Sequence, residues 1–481
     1  MDAETLSRVQ FALTASFHFI YPPLSMGLGL MLVILGIIYI RTRNPMWRQL
    51  SFFWVKVYGL IFALGVATGI VQEFEFGMNW ADYSRFVGNV FGSLLAAEGV
   101  FAFALEGGFL GLMLFGGNRL GPRLWFFATF MVVFGAHFSA LWILMANSWM
   151  QTPQGYEVVS DPAPARAVMT SFADVVFTPS FIPRLLHVYV ASWTAGSALM
   201  LSVSAWYLLK KRHLDLARSN FRLALPFFIV LTITNVTIFG AGMAIEVTHQ
   251  QPIKLASMEG LWQGTTCAPL YVVGWVDVAT QTTNGISIPC LLSVLAYFDP
   301  QAYVTGLNDF PGQPLPPIAL LFQVYHLMFM LGSLFVPIGL LGGLFYFLRK
   351  GKKGDPDRPR RIWDARWVLR LFVVTVFLVE VVIIAGWWTA EIGRQPWVVY
   401  QVLLTADGVS PVLTAVDVVL SLGMFVILYG LLLALFLFLL NRKIQHGPEP
   451  LEEVETVEVS SLPDTFRDVF RRRDRADVKE L

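Results

Sequence analysis

Residues 367–397 read WVLRLFVVTVFLVEVVIIAGWWTAEIGRQPW and have the composition of a helix that crosses a membrane. The apolar part is as long as the roughly 20 residues that a helix needs to span a bilayer. It ends in two tryptophans followed by Glu391 and Arg394, which lie three residues apart and would share one helix face. Charged side chains beside a membrane span are costly and usually mark a functional site. The stretch therefore predicts a transmembrane helix with such a site at one end.

The rest of the chain has the same character. Of its 481 residues, 56% are hydrophobic and 14% are charged, whereas a soluble domain carries about 25% charge. We predict an all-α, polytopic membrane bundle of about nine transmembrane helices. A net charge of +1, without a basic stripe that has interleaved aromatics, argues against a nucleic-acid partner. The apolar runs fall at 11–40, 51–71, 94–115, 124–148, 181–209, 221–245, 318–348, 367–389 and 411–440.

Basic residues are distributed unevenly between the loops, which predicts the orientation of the chain. Clusters within 210–222 and 349–361 belong to one alternate set of loops, and the other set carries few basic residues. By the positive-inside rule the rich set is cytoplasmic, so the N-terminus lies outside and the C-terminus inside. The predicted segments are transmembrane helices one to six in 1–245, an extracytoplasmic loop in 246–317, helices seven to nine in 318–440, and a charged cytoplasmic tail in 441–481.

The loop 246–317 holds both cysteines of the chain, Cys267 and Cys290. Loops of this length are usually functional. In the predicted orientation this one faces an oxidising compartment, where disulfides persist. We hypothesise that the two cysteines form a disulfide that closes part of the loop; two unpaired buried thiols are the alternative.

Polar and thioether side chains from separate spans fall at one depth of the predicted bundle, in its outer part. The topology rests on Lys and Arg alone, so this agreement is independent of it. Facing His, Met and Glu side chains on separate helices are typical of axial haem ligands in a bundle, although a single intramembrane histidine can simply bond a carbonyl. The set comprises His18, Glu98, Glu106, His187, His326, Met328, Glu391 and Arg394.

Two features within the spans have their own interpretation. Glu98 and Glu106 lie near one face of a helix, about 12 Å apart at 1.5 Å per residue, which favours a proton relay or a cation partner over interhelical hydrogen bonds. His137 lies near the middle of the fourth span, away from the other side chains. We interpret it as a core histidine whose hydrogen bonds are satisfied.

Six segments together resemble subunit I of the cytochrome bd quinol oxidases. They are LSRVQFALTASFHF, FALGVATGIVQEFEFGMNW, YSRFVG, AAEGVFAFALEGGF, SALWILMANSWMQ and GWWTAEIGRQPW. The resemblance implies a terminal oxidase of the prokaryotic inner membrane that oxidises ubiquinol or menaquinol at the outer face and reduces dioxygen to water. It would contribute to proton motive force without pumping. The implied partners are subunit II and, in addition, a small single-span subunit.

The resemblance also implies the cofactors and their ligands. These are two b haems, one low-spin and one high-spin, and a haem d or a third b haem in its place. His187 and Met328 would ligate the low-spin b haem, and His18 would be the ligand at the haem d position. Glu391 would ligate or neighbour the high-spin b haem, with Arg394 holding that carboxylate or a haem propionate.

The remaining residues carried over from the family have supporting roles. Trp387 would pack between haems or provide an electron route. Glu98 and Glu106 match acids linked to haem d and its proton supply. Lys254 and Glu259, in the segment KLASMEG, match the quinol-binding part of the loop. The loop itself resembles the short-loop type.

One position departs from the family pattern. The family usually has an arginine two residues before the methionine ligand, and here that residue is His326. Positions 326 and 328 are about 200° apart on a helix, so both side chains cannot face one iron. We expect Met328 to be the ligand.

Other readings explain less. A haem–copper oxidase needs a close histidine pair for copper and a bis-histidine cytochrome b needs paired histidines on two helices, but the spans hold only His18, His137, His187 and His326, with no close pair. An ion or proton-coupled transporter without haem could use the acids for cation movement. It would leave His187, Met328 and Glu391 without a shared task.

Overall fold

The structure is a computed structural model that describes residues 2–117, 119–161, 163–347 and 365–450. Within them, nine helical segments are long and apolar enough to cross a membrane, which confirms the predicted fold class. The spans are Ala3–Thr42, Pro45–Met78, Ala81–Phe115, Pro122–Gln151, Phe181–Lys210, Leu214–Gln250, Ile318–Tyr346, Arg366–Ile392 and Ala415–His446.

The described residues form sixteen α-helices, of which twelve build the spans and four are short connecting helices. In chain order the helices are α1 (Ala3–His18), α2 (Tyr21–Thr42), α3 (Pro45–Met78), α4 (Ala81–Ala97), α5 (Ala104–Phe115), α6 (Pro122–Gln151), α7 (Phe172–Val176), α8 (Phe181–Lys210), α9 (Leu214–Thr234), α10 (Gly240–Gln250), α11 (Pro252–Glu259), α12 (Leu291–Tyr297), α13 (Ile318–Phe347), α14 (Arg366–Ile392), α15 (Thr405–Gly408) and α16 (Ala415–His446). A single 3₁₀ turn covers Leu307–Asp309.

Several spans are interrupted, and each interruption has a local cause. The first span breaks between α1 and α2, where Pro22 and Pro23 begin α2 without backbone N–H groups to continue the helix before them. The third and sixth spans each contain a π-helical turn, at Glu98–Phe103 and Asn235–Phe239. Such turns occur frequently at functional sites, and both carry residues that line the cavity described below.

Most spans extend beyond the predicted bounds, and three of these extensions change the position of a predicted feature. The third span begins at Ala81 rather than near 94, because its first turns are amphipathic: Asp82 and Arg85 pair on the exposed side while Tyr83 and Phe86 are buried. Glu98 therefore lies at the middle of this span and not near its outer end. The sixth span continues past 245 to Gln250 and the ninth past 440 to His446, so the loop and the tail begin later than predicted. Residues 451–481 of the predicted tail lie outside the described residues.

Short antiparallel sheets occupy the connections between spans, an addition to the all-α prediction. The strands are β1 (Tyr156–Val159), β2 (Arg166–Met169), β3 (Thr265–Thr266), β4 (Leu270–Asp277), β5 (Thr282–Ile288), β6 (Tyr303–Val304), β7 (Trp397–Val399) and β8 (Leu403–Leu404). They pair as β1–β2, β3–β6, β4–β5 and β7–β8. The β4–β5 hairpin is the longest and belongs to the loop between the sixth and seventh spans. In the structure a disulfide joins Cys267 and Cys290, directly outside the base of this hairpin.

Helix α8 is the centre of the bundle and packs against α2, α9 and α14. Its contact with α2 is made by backbone. A Cβ atom added to Gly27 would overlap the carbonyl oxygen of Ser192, and one added to Gly196 would overlap the backbone of Gly27. Small residues allow this close approach of membrane helices. The contact fixes the separation of the two helices.

Candidate functional site

A cavity of about 1690 Å³ lies among the spans, and we call it the central cavity. Its walls come from at least α1, α3, α6, α8, α10, α11, α13 and α14, so residues that are distant in sequence face one volume. All ten residues predicted from the sequence as ligands, acids or quinol-site residues line it. They are His18, Glu98, Glu106, His187, Lys254, Glu259, Met328, Trp387, Glu391 and Arg394.

His18 is the last residue of α1 and is oriented by α3. Its Nδ1 lies 2.9 Å from the hydroxyl oxygen of Thr68. That hydroxyl has one proton, which it donates to the Leu64 carbonyl at 2.7 Å, so Nδ1 must be the donor to Thr68. Nε2 then keeps its lone pair. A hydrogen bond from the ring nitrogen that does not bind the metal fixes the tautomer in this way in most metal-ligating histidines.

His187 lines the central cavity from α8, and its Nδ1 makes no hydrogen bond of acceptable geometry among the described residues, although the Asn235 side chain lies beside the ring. The π-helical turn Asn235–Phe239 and the first residue of α10, Gly240, lie against it. A Cβ atom at Gly240 would approach within 3.5 Å of the imidazole Cε1. An unpaired ring nitrogen in a buried wall is costly unless a ligand occupies the cavity beside it.

Met328 and His326, two residues apart on α13, point in different directions, as predicted. Met328 lines the central cavity. Nδ1 of His326 lies 2.8 Å from the Phe322 carbonyl oxygen, and its Nε2 lies 2.9 Å from that of Tyr271 on β4. His326 therefore lies between the loop and α13, where the ring nitrogen that carries the proton donates to a carbonyl oxygen, and both nitrogens face backbone carbonyls.

A glycine from a neighbouring helix faces three of the four candidate axial ligands. A Cβ atom at Gly69 would lie 3.2 Å from Cε1 of His18, and one at Gly386 would lie 3.2 Å from the sulfur of Met328. Gly240 has the corresponding place beside His187. Each ligand side chain thus occupies space that a larger residue would fill. These glycines lie far in sequence from the ligands that they contact, so the sequence alone did not identify them.

Glu391 is held at the end of α14 by two partners. Asn147 on α6 donates to its Oε1 at 2.9 Å, and Arg394 donates to its Oε2 in a charge-assisted bond. Arg394 is 3% exposed, and its Nε and Nη1 groups have no partner among the described residues. The guanidinium can therefore bind a second anion while it holds Glu391.

A second buried arginine, Arg184, was missed as a site residue in the sequence analysis. It lies one turn before His187 on α8, is 5% exposed and lines the central cavity. Its Nε and Nη2 groups have no partner among the described residues. The available signal was an arginine inside an apolar span, three residues from a candidate ligand. Unpaired donors on Arg184 and Arg394 give the cavity wall two sites for anionic groups.

The acids of the third span line the cavity from another side. Glu98 begins the π-helical turn and accepts a hydrogen bond of 2.6 Å from the Ser139 hydroxyl of α6. Glu106 is 7% exposed. Glu73 of α3, which the sequence analysis did not consider, also lines the cavity. Three carboxyl groups from two spans therefore border the same volume.

Trp387 lies between the end of α14 and the first span. Its ring centroid is 6.2 Å from that of Phe11 and 6.5 Å from that of Phe19. The adjacent Trp388 donates from its indole nitrogen to the Ser16 hydroxyl at 2.7 Å. These contacts attach the Glu391 end of α14 to α1 and leave Trp387 packed at the cavity wall.

Lys254 is buried at the start of α11, and all three of its N–H groups are engaged. They donate to Oε1 of Gln151 at 3.1 Å, to Oε1 of Gln251 at 3.2 Å and to the Ala390 carbonyl at 3.0 Å. Burial, reinforced by nearby Arg184, lowers the pKa of the Lys254 amine to about 7. The lysine thus fastens the loop helix to α6 and to the residue that precedes Glu391.

Glu259, at the other end of α11, has a different environment. It is 1% exposed, and neither of its carboxyl oxygens has a geometrically acceptable hydrogen bond within the described residues. Burial raises its pKa to about 8, an effect that the adjacent Tyr325 phenol partly offsets. Both Glu259 and Tyr325 line the central cavity. Lys254 and Glu259 form no ion pair in the structure. The loop therefore presents a lysine held by three hydrogen bonds and a buried acid without a hydrogen bond of acceptable geometry.

His137 is the core histidine that the sequence predicted. Its Nδ1 lies 2.8 Å from the Val133 carbonyl oxygen, and its Nε2 accepts from the indole nitrogen of Trp193 at 2.9 Å. Both ring nitrogens are satisfied by protein. It is absent from the lining of the central cavity.

The chain is similar to known proteins over more than nine-tenths of its length. The family model described as cytochrome bd terminal oxidase subunit I matches residues 6–448. The cytochrome bd ubiquinol oxidase subunit 1 of Bacillus subtilis (strain 168) is 34% identical over 464 residues, which cover 93% of this chain and 95% of that protein. The cytochrome bd-II ubiquinol oxidase subunit 1 of Escherichia coli (strain K12) is 33% identical over 519 residues, with coverages of 94% and 98%. The solved structure of bd oxidase from Geobacillus thermodenitrificans matches with a TM-score of 0.83 and 27% identity, covering 93% of this chain and 99% of the matched chain.

Proposed function

The chain belongs to the cytochrome bd terminal oxidase subunit I family, as its sequence predicted, and on that premise we propose a role for each of its site residues. It is a multi-pass membrane subunit of a quinol oxidase, which has haem cofactors, a subunit II partner, and quinol and dioxygen as substrates. In our proposal it lies in a prokaryotic inner membrane with its N-terminus outside. It oxidises ubiquinol or menaquinol at the outer face, and dioxygen is reduced to water without proton pumping.

The proposed cofactors are two b haems, one low-spin and one high-spin, and a haem d or a third b haem. The residues present fit such groups. The observation that carries this is the central cavity itself, since His187, Arg184 and Arg394 all line it and each has a buried nitrogen without a hydrogen-bond partner among the described residues. Imidazole nitrogens suit iron, and guanidinium groups suit propionate carboxylates. When bound, the haems supply one-electron carriers and the iron at which dioxygen is reduced.

We propose the axial positions that the family resemblance implies, which the contacts of the side chains support. His187 and Met328 are proposed for the low-spin b haem, since an imidazole and a thioether raise the potential of a haem that accepts electrons from quinol. His18, with its Nε2 lone pair kept free by Thr68, is proposed for the haem d position. Glu391 is proposed for the high-spin b haem. Arg394 orients that carboxylate and has two further N–H groups for a propionate.

Quinol oxidation releases two electrons and two protons, and the protons need an acceptor. Glu259 suits this role, because its carboxyl group is buried, unpartnered and faces the cavity. The phenol beside it, that of Tyr325, can donate to the carboxylate once it forms. Lys254 can bond a quinol headgroup only if one of its three present acceptors gives way. Its second role is to hold α11 beside Glu391.

The protons for water formation need a separate supply. We propose that Glu98 and Glu106 relay them, with Ser139 orienting Glu98. Proton release from quinol at the outer face and proton uptake from the cytoplasm would separate charge across the membrane. A proton pump is then unnecessary. A small single-span subunit is a further partner that this proposal allows.

Pigment extraction tests the proposed cofactor set directly. The purified complex of this chain with subunit II is expected to yield haem b and a chlorin on acid extraction, identified by mass and by a red absorption band in the intact enzyme. Haem b alone would assign a third b haem to the His18 position. A colourless complex would reject the oxidase assignment of these residues and would favour the haem-free transporter.

Replacing Glu259 by glutamine is expected to slow quinol turnover on the order of 10²-fold, the usual contribution of one general base. With a pKa of about 8, the acid is mostly protonated at pH 6 and 7, so the turnover of the unaltered enzyme should rise with pH until the carboxylate predominates above about 8. The Gln variant should lose that rise. Steady-state oxygen consumption with quinol across this pH range is the measurement.

Two comparisons separate a quinol role from general damage. Oxygen consumption driven by a chemical reductant that bypasses quinol should stay nearly unchanged in Glu259→Gln. The matched control is Glu157→Gln, which alters an exposed acid on β1. Equal loss with quinol and with the chemical reductant would contradict the proposed role.

A further inference from the structure

One face of the β4–β5 hairpin is apolar and uncovered. Val273 pairs with Ile286 across the two strands, and Trp275 and Ile288 lie on the same side. These four side chains, which we call the outer hairpin face, are 46–72% exposed. The opposite side, with Val276 and Gly274, packs against the loop helix and α13. The strands contain no charged residue before Asp277, at the end of β4.

Two hydrogen bonds set the hairpin against α13 in a defined register. Nε2 of Gln323 donates to the Gly274 carbonyl at 2.9 Å, and His326 reaches the Tyr271 carbonyl. Since the later residue of α13 contacts the earlier residue of β4, the strand runs antiparallel to the helix. The base of the hairpin, near Leu270 and Ile288, lies farther along α13 toward the bilayer centre than its tip does.

The depth of the hairpin follows from the length of α13. A cluster of basic residues begins at Arg349, two residues after Phe347, so the hydrocarbon layer cannot extend past that end of the helix. About 20 residues cross the layer, which puts its other boundary near residue 327. Residues 323–326 then lie within about 6 Å of that boundary, at 1.5 Å per residue. This is the headgroup layer, and the hairpin strands run beside it.

We propose that the outer hairpin face is immersed in the lipid headgroup layer, with lipid as its occupant, and anchors the loop to the membrane surface. The polarity of the side chains along the hairpin follows the polarity of this layer, from apolar near the hydrocarbon to charged toward water. Ile288 and Ile286 lie nearest the hydrocarbon, Trp275 lies at the level that tryptophan prefers in membrane proteins, and Asp277 lies toward water. The adjoining face of α13 presents Leu327, which is 45% exposed and does not line the central cavity, so the apolar surface continues onto a transmembrane helix.

A disulfide and a backbone hydrogen bond hold the hairpin in shape at its deep end. The Cys267–Cys290 disulfide closes the hairpin at its deep end, and next to it the Leu292 backbone N–H donates to the Ala268 carbonyl at 3.1 Å. Leu270 and Leu292 also line the central cavity. The immersed hairpin therefore forms part of the wall between lipid and the cavity.

Spin-label accessibility tests this proposal without reference to enzyme activity. The complex with subunit II, carrying a nitroxide at Ile286→Cys, is reconstituted into phosphatidylethanolamine–phosphatidylglycerol vesicles in the absence of quinol. Collision rates with dissolved oxygen and with a water-soluble nickel chelate are then measured. Ala279→Cys, at the hairpin tip, is the matched control, and the unaltered chain controls for labelling of its disulfide-bonded cysteines.

The expected result is a severalfold higher ratio of oxygen to nickel collisions at position 286 than at position 279. Equal access of the nickel chelate to both positions would mean that the face lies in water and would overturn the proposal. An immobile label at 286 that neither reagent reaches would show that a protein covers the face, which also overturns it. If Ile286→Cys does not accumulate, its cross-strand neighbour Val273→Cys gives the same comparison.

Discussion

Replacing His187 by alanine is expected to remove the low-spin b haem signal and to abolish quinol-driven oxygen consumption, while the protein still inserts into the membrane. The side chain is proposed as the only nitrogen ligand of that haem, and nothing in its surroundings can replace it: Arg184, one turn away, cannot offer a lone pair. Reduced-minus-oxidised spectra of membranes and of the purified complex are the measurement.

Two further variants show whether His187 acts as a ligand or only as packing. His137→Gln alters another histidine of the bundle whose ring nitrogens are satisfied by Val133 and Trp193, and it should leave the low-spin signal in place. In His187→Gly, added imidazole should restore part of the spectrum, because the deleted ring leaves room beside Gly240. Full-intensity low-spin haem in His187→Ala would refute the assignment.

Replacing Gly196 by leucine is expected to prevent accumulation of the folded complex. The new side chain would have to enter the backbone of α2 at Gly27, where neither helix can move without separating from the bundle. Even Gly196→Ala should cost at least the roughly 1–3 kcal/mol of an overpacked core. The midpoint of thermal unfolding of the purified complex, together with its haem content, is the measurement.

Gly430→Ala is the matched control, since a Cβ atom there meets no described atom within 4 Å. In a helix that substitution alone should be neutral or mildly stabilising. Equal stability of Gly196→Ala and Gly430→Ala would show that α2 and α8 can move apart at little cost, contrary to the contact in the structure.

The sequence predicted the convergence of the site but not its supporting contacts. The spacing of residues within a span and the charge bias of the loops give the depth of a residue in that span. Depth was enough to predict that His18, His187 and Met328 lie near one another, and all three line the central cavity. Orientation about a helix axis depends on neighbouring helices, which no single span encodes. Thr68 and Asn147, which orient His18 and Glu391, could therefore be found only in the structure.

The start of the third span shows a different limit. Asp82 and Arg85 lower the local hydropathy, so the apolar run seemed to begin near 94, although the other face of the helix is buried. An amphipathic helical periodicity was present before residue 94, but it covered too few residues to predict the start of the helix. Lys254 and Glu259 show a third limit of prediction from sequence. Both lie near one functional region, but only their burial and hydrogen bonds show that the lysine is held by three acceptors and that the glutamate is not.

The backbone contact between α2 and α8 has a consequence for respiration in changing membranes. Electron tunnelling slows steeply as donor and acceptor move apart. His187 lies about 13.5 Å along α8 from Gly196, at 1.5 Å per residue. His18 ends α1, which forms one span with α2, so the contact also restrains the helix that carries the second proposed ligand. Two helices that already touch cannot come closer when lipids thicken or lateral pressure rises. We therefore expect the intramolecular transfer rate to be insensitive to acyl-chain length.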